Sequence, residues 1–151
     1  MLSNFLRCNM VKILNLTRHR ATPEQVADGV IDLHDDDYRE LCNLLTFTKL
    51  PTRAEVQWRA YQIASLAHAA ESHLANDVGN EIRHQGEYIQ HVMIDGAPFL
   101  MTELSTKLAI RYGYRVVYAF SRRVVTETTL SDGTVEKVSS FKHLGFVPST
   151  V

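Results

Sequence analysis

The chain has 151 residues and 17.2 kDa, with 45% hydrophobic and 22% charged residues, the profile of one globular domain with a real core. A formal net charge of −1 excludes a global basic field for duplex DNA or an anionic membrane, although a local cation cluster can still focus on one small anion. Cys8 and Cys42 have neither zinc-ligand spacing nor the look of a disulfide framework, so Cys42 is expected as a reduced core thiol. The apolar stretches are too short for a bilayer span, and Met1–Asn9 lacks the apolar centre of a signal peptide. The expected setting is a reducing cytoplasm.

Residues 1–10 read as an irregular lead-in, and 11–151 as a single α/β domain. Val11–Leu16 is a short aliphatic run, a buried strand. Thr17-Arg18-His19-Arg20-Ala21 follows as a polar loop. Thr22-Pro23-Glu24-Gln25 carries an N-cap, a proline at the first helical position and the far half of a capping box. Gly29 ends that helix, and Val30–Leu33 is a second strand. His34 and Asp35–Asp37 cap a helix to about Phe47, broken by Pro51.

Thr52–Glu55 opens a long helix to about Leu74, with Val56, Ile63, Ala67, Ala70 and Leu74 on one apolar face. Asn76–Glu87 reads as a surface loop and Tyr88–Ile94 as a strand. A helix over Phe99–Tyr112 is expected to turn Leu100, Leu104, Leu108 and Ile110 inward, with Gly113 as its C′ residue. Tyr114–Phe120 is the next buried strand. Val124–Leu130 and Thr134–Phe141 flank Ser131-Asp132-Gly133, a hairpin signal that requires a positive φ at Gly133. Strand–helix alternation implies a Rossmann-like fold: a short, mostly parallel sheet flanked by helices, with a C-terminal β-hairpin that extends an edge or stands off as an arm.

In open α/β sheets, ligands bind beyond the carboxyl ends of the strands. Three loops are expected there. Asn15, Thr17, Arg18, His19 and Arg20 follow the first strand; Asp95, Gly96 and Ala97 follow the Tyr88–Ile94 strand; Ser121, Arg122 and Arg123 follow Phe120. Arg18 has the planar fork that grips phosphate, and His19 can move a proton near neutral pH; the plain alternative is surface charge. Gly96-Ala97 lets backbone approach a ligand at a helix start, although Pro98 removes one donor. No GxGxxG, Walker or nucleophile-elbow motif is present. His68 and His73 are ill spaced for a metal, His34 with its acidic neighbours reads as a cap, and His91 reads as a sheet residue. No metal or cofactor is expected.

Ile13–Gln25 (ILNLTRHRATPEQ) resembles the opening of small CRISPR-associated ancillary proteins with a Rossmann-like, CARF-related fold. Ile94–Arg123, with its Gly/Pro turn, helix, glycine and polar-ended strand, resembles their second half. The two stretches cover roughly a third of the chain, without the long helix or the hairpin. The resemblance implies binding of cyclic oligoadenylate or a related nucleotide messenger across a homodimer, in defence or counter-defence, by sequestration or by metal-independent ring cleavage. By position it would line the first loop with Asn15, Thr17, Arg18 and His19 and the second with Gly96 and Ala97. Arg18 or Arg122 would stabilise charge and His19 would be the acid or base. Open beside it are a non-enzymatic interaction module, whose hairpin adds a strand to a partner's sheet edge, and an ordinary small-molecule enzyme.

Overall fold

The computed structural model describes residues 11–77 and 89–150; the lead-in, Cys8 and most of the surface loop before Tyr88 fall outside the described residues. The elements in chain order are β1 (Ile13–Leu16), α1 (Pro23–Ala27), β2 (Val30–Asp32), α2 (Asp35–Leu45), α3 (Arg53–Asp77), β3 (His91–Ile94) and α4 (Pro98–Thr106). A π-helical turn (Lys107–Arg111) continues α4, and β4 (Arg115–Thr129) and β5 (Val135–Pro148) follow. They form one five-stranded sheet in the order β2-β1-β3-β4-β5. The first three pairings are parallel and the last is antiparallel. The fold is mixed α/β, with a mostly parallel sheet flanked by helices and a C-terminal hairpin, as the alternation of elements implied.

Local chemistry explains the helix starts. Thr22 accepts from the Gln25 amide at 3.2 Å while the Gln25 side chain accepts from the Thr22 amide at 3.1 Å, closing the capping box. Thr52 caps α3 through the Glu55 amide at 3.1 Å. His34 is the N-cap residue of α2 but gives no side-chain capping bond, so α2 relies on Asp35–Asp37 against its N-terminal dipole.

β1 leads to β2 on one side and β3 leads to β4 on the other, so right-handed crossovers put α1 on the opposite face from α4. The core divides accordingly. Leu14, Leu16, Val92, Ile94 and Val116 pack under Leu41, Leu45, Ile63, Ala67, Leu100 and Leu104, whereas Ile13, Val30, Met93 and Val117 form a smaller cluster beneath Ala21 and Phe146.

Three expectations need correction. The helix after Pro98 is not uniform: its last turn is π-helical, which shifts the inward register, so Leu108 is buried while Ile110 is 78% exposed. Gly113, at φ 72°, ends it as expected. Cys42 is half-buried rather than a core residue. Finally, the strand after Gly113 does not stop at Phe120. It runs unbroken to Thr129, paired with β5 throughout, apart from a bulge where Phe120 opposes Gly145 and Ser121 opposes His143, which leaves Leu144 extra.

Candidate functional site

β1 and β3 are neighbours whose onward connections diverge, so the sheet has its topological switch point between them. Crevices at such points are where open α/β sheets take ligands. Leu16 pairs with Ile94, so the loop from Thr17 and the turn from Asp95 leave the sheet at one level, about one strand spacing (~4.8 Å) apart.

The first loop is held by its own side chains. Asn15, only 3% exposed, accepts from the Thr17 amide at 3.0 Å and hydroxyl at 2.8 Å. Its amide nitrogen donates to the His19 carbonyl at 2.8 Å and to Asp32 Oδ1 at 2.8 Å. Asp32, at the end of β2, also accepts from the Ala21 amide at 3.1 Å, closing the loop from the far side. Arg20 donates to the Leu33 carbonyl at 2.8 Å, pairs with Asp35 at 2.7 Å and lies 3.8 Å from the Tyr38 ring centroid. Tyr38 donates to the Arg18 carbonyl at 2.5 Å. The Cys42 side chain, then desolvation, pushes its phenol above the ordinary range, so it stays a donor.

Asn15 and Thr17 are therefore positioning groups rather than ligand contacts, and Arg20 is a structural brace. Arg18 and His19 are exposed, and among the described residues no side chain holds their guanidinium or imidazole. Their backbone is fixed while their side chains are available.

At the second turn, Asp95 and Gly96 are exposed, and Gly96 is extended with φ 159°. A Cβ there would lie 3.1 Å from Met101 Cε, so the turn rests closely on α4. The amides of Leu100 and Met101 are already used by the Ala97 carbonyl and Pro98 has none, which leaves a poor anion cradle. Beside the turn runs a groove of about 670 Å³, lined by Asp95, Gly96, Thr102, Ser105, Tyr118 and Val147 among others. Asp95 opposes a phosphate at this end and suits a ribose hydroxyl, which donates to a carboxylate.

Ser121 and Arg122 are not in a loop at this edge. They sit within β4, opposite His143 and Lys142, on the hairpin that continues past the sheet. β3 ends at Ile94, level with Tyr118, so Arg122 lies about four residues, ~13 Å, beyond the edge. His68 and His73 are exposed on α3, and among the described residues no group of three or more metal-ligating side chains exists. Asp32 and Tyr38 escaped the sequence reading. Only Asp32 left a trace, as a lone acid ending a short aliphatic strand.

No helix among the described residues is long and apolar enough to cross a membrane. No curated protein and no solved structure matches the chain. A family model matches residues 11–147, and the chain belongs to the Uncharacterized protein MJ1673 family.

Proposed function

We propose that the switch point binds a small phosphate-bearing ligand, of the class of cyclic oligoadenylates or related nucleotide messengers, in prokaryotic defence or counter-defence. The observation that carries the reading is the pairing of a rigid loop backbone with two exposed side chains, Arg18 and His19, that no side chain among the described residues holds, beside the turn at Gly96. Arg18 supplies a charge-assisted phosphate contact, and Asp95 with the hydroxyls of Thr102 and Ser105 offers partners for ribose and base. The chain acts by sequestration or by cleavage. In cleavage a ribose 2′-oxygen attacks its own phosphorus, the P–O5′ bond breaks, and a 2′,3′-cyclic phosphate remains. His19 accepts the 2′-hydroxyl proton, or donates one to the departing 5′-oxygen, and Arg18 steadies the charge on the phosphorane. Arg122 belongs to this site only if a ligand or a second chain bridges the distance to the hairpin.

A panel of cyclic and linear oligonucleotides, scored by melting temperature, tests the reading, because a ligand selective for the native state must stabilise it. A shift with cyclic oligoadenylates that grows with concentration supports it. No shift with any member favours the second reading, a non-enzymatic interaction module, for which the exposed hairpin speaks.

A further inference from the structure

The hairpin beyond Phe120 lacks what a folded ribbon needs. From Ala119 to Leu144 every residue is exposed except the half-buried Val124 and His143. Among the described residues no third strand covers it, because β3 stops at Ile94 and the outer edge of β4 is open from Tyr118 onward. Two-stranded ribbons on their own are marginal in water, and open edges invite pairing. Yet this one carries Phe120, Val125, Val138 and Phe141, the last 74% exposed, on both of its faces. Its base is anchored: His143 Nε2 lies 3.1 Å from Asp28 Oδ2, and the Ser149 amide donates to the Val116 carbonyl at 2.8 Å. A braced base with an uncovered shaft is the form of a docking arm.

We infer that the arm clasps a second copy of this chain, each arm lying on the other's body. Size favours a reciprocal clasp. From Ala119 to Thr129 the shaft is about 34 Å long and about 10 Å wide, so one face covers on the order of 350 Å². An exchange in which each copy gives an arm and receives one buries about 700 Å² per chain, near the ~800 Å² per partner of a stable interface, whereas one arm docked one way covers half of that. Charge agrees. Arg122 and Lys142 are exposed and directly opposite each other, a like-charge cross-strand pair that is unfavourable without an acidic counterpart. The same chain offers the acidic first turn of α2, Asp35–Asp37, where Asp35 already pairs with Arg20 at 2.7 Å and Asp36 with Arg39 at 3.2 Å, exposed pairs that the arm's cations would join or exchange with.

Sedimentation equilibrium over a concentration series, with circular dichroism as the folding control, tests the clasp on the full chain. Wild type is expected at twice the 17.2 kDa chain mass. Phe141→Asp and Val138→Asp, on opposite faces of the ribbon and both exposed, leave the monomer's fold intact; Val138→Asp, on the face that carries Arg122 and Lys142, raises the dimer dissociation constant tenfold or more, and Phe141→Asp is the control on the other face. Lys142→Glu relieves the like-charge pair within one arm; the clasp requires that it nevertheless weaken the dimer. A wild type monomeric throughout, an open-ended assembly, a Val138→Asp dimer within twofold of wild type, or a Lys142→Glu dimer as tight as wild type or tighter would each overturn the inference. Ligand binding enters none of these readouts, so the clasp and the switch-point site stand or fall separately.

Discussion

Replacing Asn15 by alanine removes the β1 side chain that ties the first loop to β2. Four contacts go with it, two accepted from Thr17 and one donated to each of His19 and Asp32. They are not equal. The His19 carbonyl keeps the Thr17 hydroxyl, 3.1 Å away, and Asp32 keeps the Ala21 amide. The Thr17 amide, in a residue only 6% exposed, keeps nothing, and an orphaned buried donor costs about 1–3 kcal/mol. With the net loss of the other bonds, the expected destabilisation is about 2–4 kcal/mol, read as a lower urea midpoint at constant m. Asn15→Asp separates geometry from charge. It keeps the acceptor for Thr17 but sets an oxygen against Asp32 where the amide now donates at 2.8 Å. The two facing carboxylates repel, so at neutral pH this variant should be destabilised by more than the lost hydrogen bond alone. If Asn15→Ala changes stability by less than about 0.5 kcal/mol, the loop is not held as described.

Three further outcomes are expected. Arg59 donates to the carbonyls of Asn43, Leu44 and Thr46, pairs with Glu55 at 2.9 Å and stacks on Phe47, so Arg59→Ala should cost about 2–3 kcal/mol by urea unfolding and Arg59→Lys should rescue only part. Gly133 has φ 84° and open space, with nothing within 4 Å, where an added Cβ would sit; Gly133→Ala should therefore cost about 1–2 kcal/mol through backbone strain alone, seen as faster amide exchange at Leu130 and Gly133. Burial, then Arg115, lowers the His91 pKa in the folded state. Its contribution is thus present above the ordinary histidine value and lost as pH falls below about 6.5, a loss that should shrink in His91→Gln when melting is compared between neutral and mildly acid pH.

Much of the fold was legible because local and global signals agree. The capping box at Thr22–Gln25, the first aliphatic strand and Gly113 each act within a few residues, and all three appear where expected. The hairpin turn was legible too, in the same three residues Ser131-Asp132-Gly133: Gly133 donates back to the Leu130 carbonyl at 3.0 Å, while Asp132 accepts from the amide and hydroxyl of Thr134. What failed depended on tertiary context. Ser121-Arg122-Arg123 reads as a loop because three polar residues follow an apolar strand, but a strand exposed on both faces has no apolar pattern to keep, and pairing with β5 carries it through. Ile110 turned outward because a π-helical turn breaks the period on which the helical face was counted.

The candidate site divides along the same line. The loop after β1 and the turn after β3 were placed together correctly in outline, since a parallel sheet fixes which strand ends share an edge. Which residues face outward was not legible. Asn15 and Thr17 have the polarity of ligand contacts yet spend it inside the loop, and that division depends on Asp32, which lies 17 residues from Asn15.

The most direct measurement is a calorimetric titration of wild type and Arg18→Ala with cyclic oligoadenylates, with melting temperature as the folding control. Arg18 is exposed and its side chain holds nothing among the described residues, so its loss should leave the fold unchanged. Loss of a charge-assisted phosphate contact should weaken binding by about 10- to 150-fold, equivalent to roughly 1.5–3 kcal/mol. Equal affinities for the two proteins, or no binding by wild type, would contradict a phosphate site at the switch point.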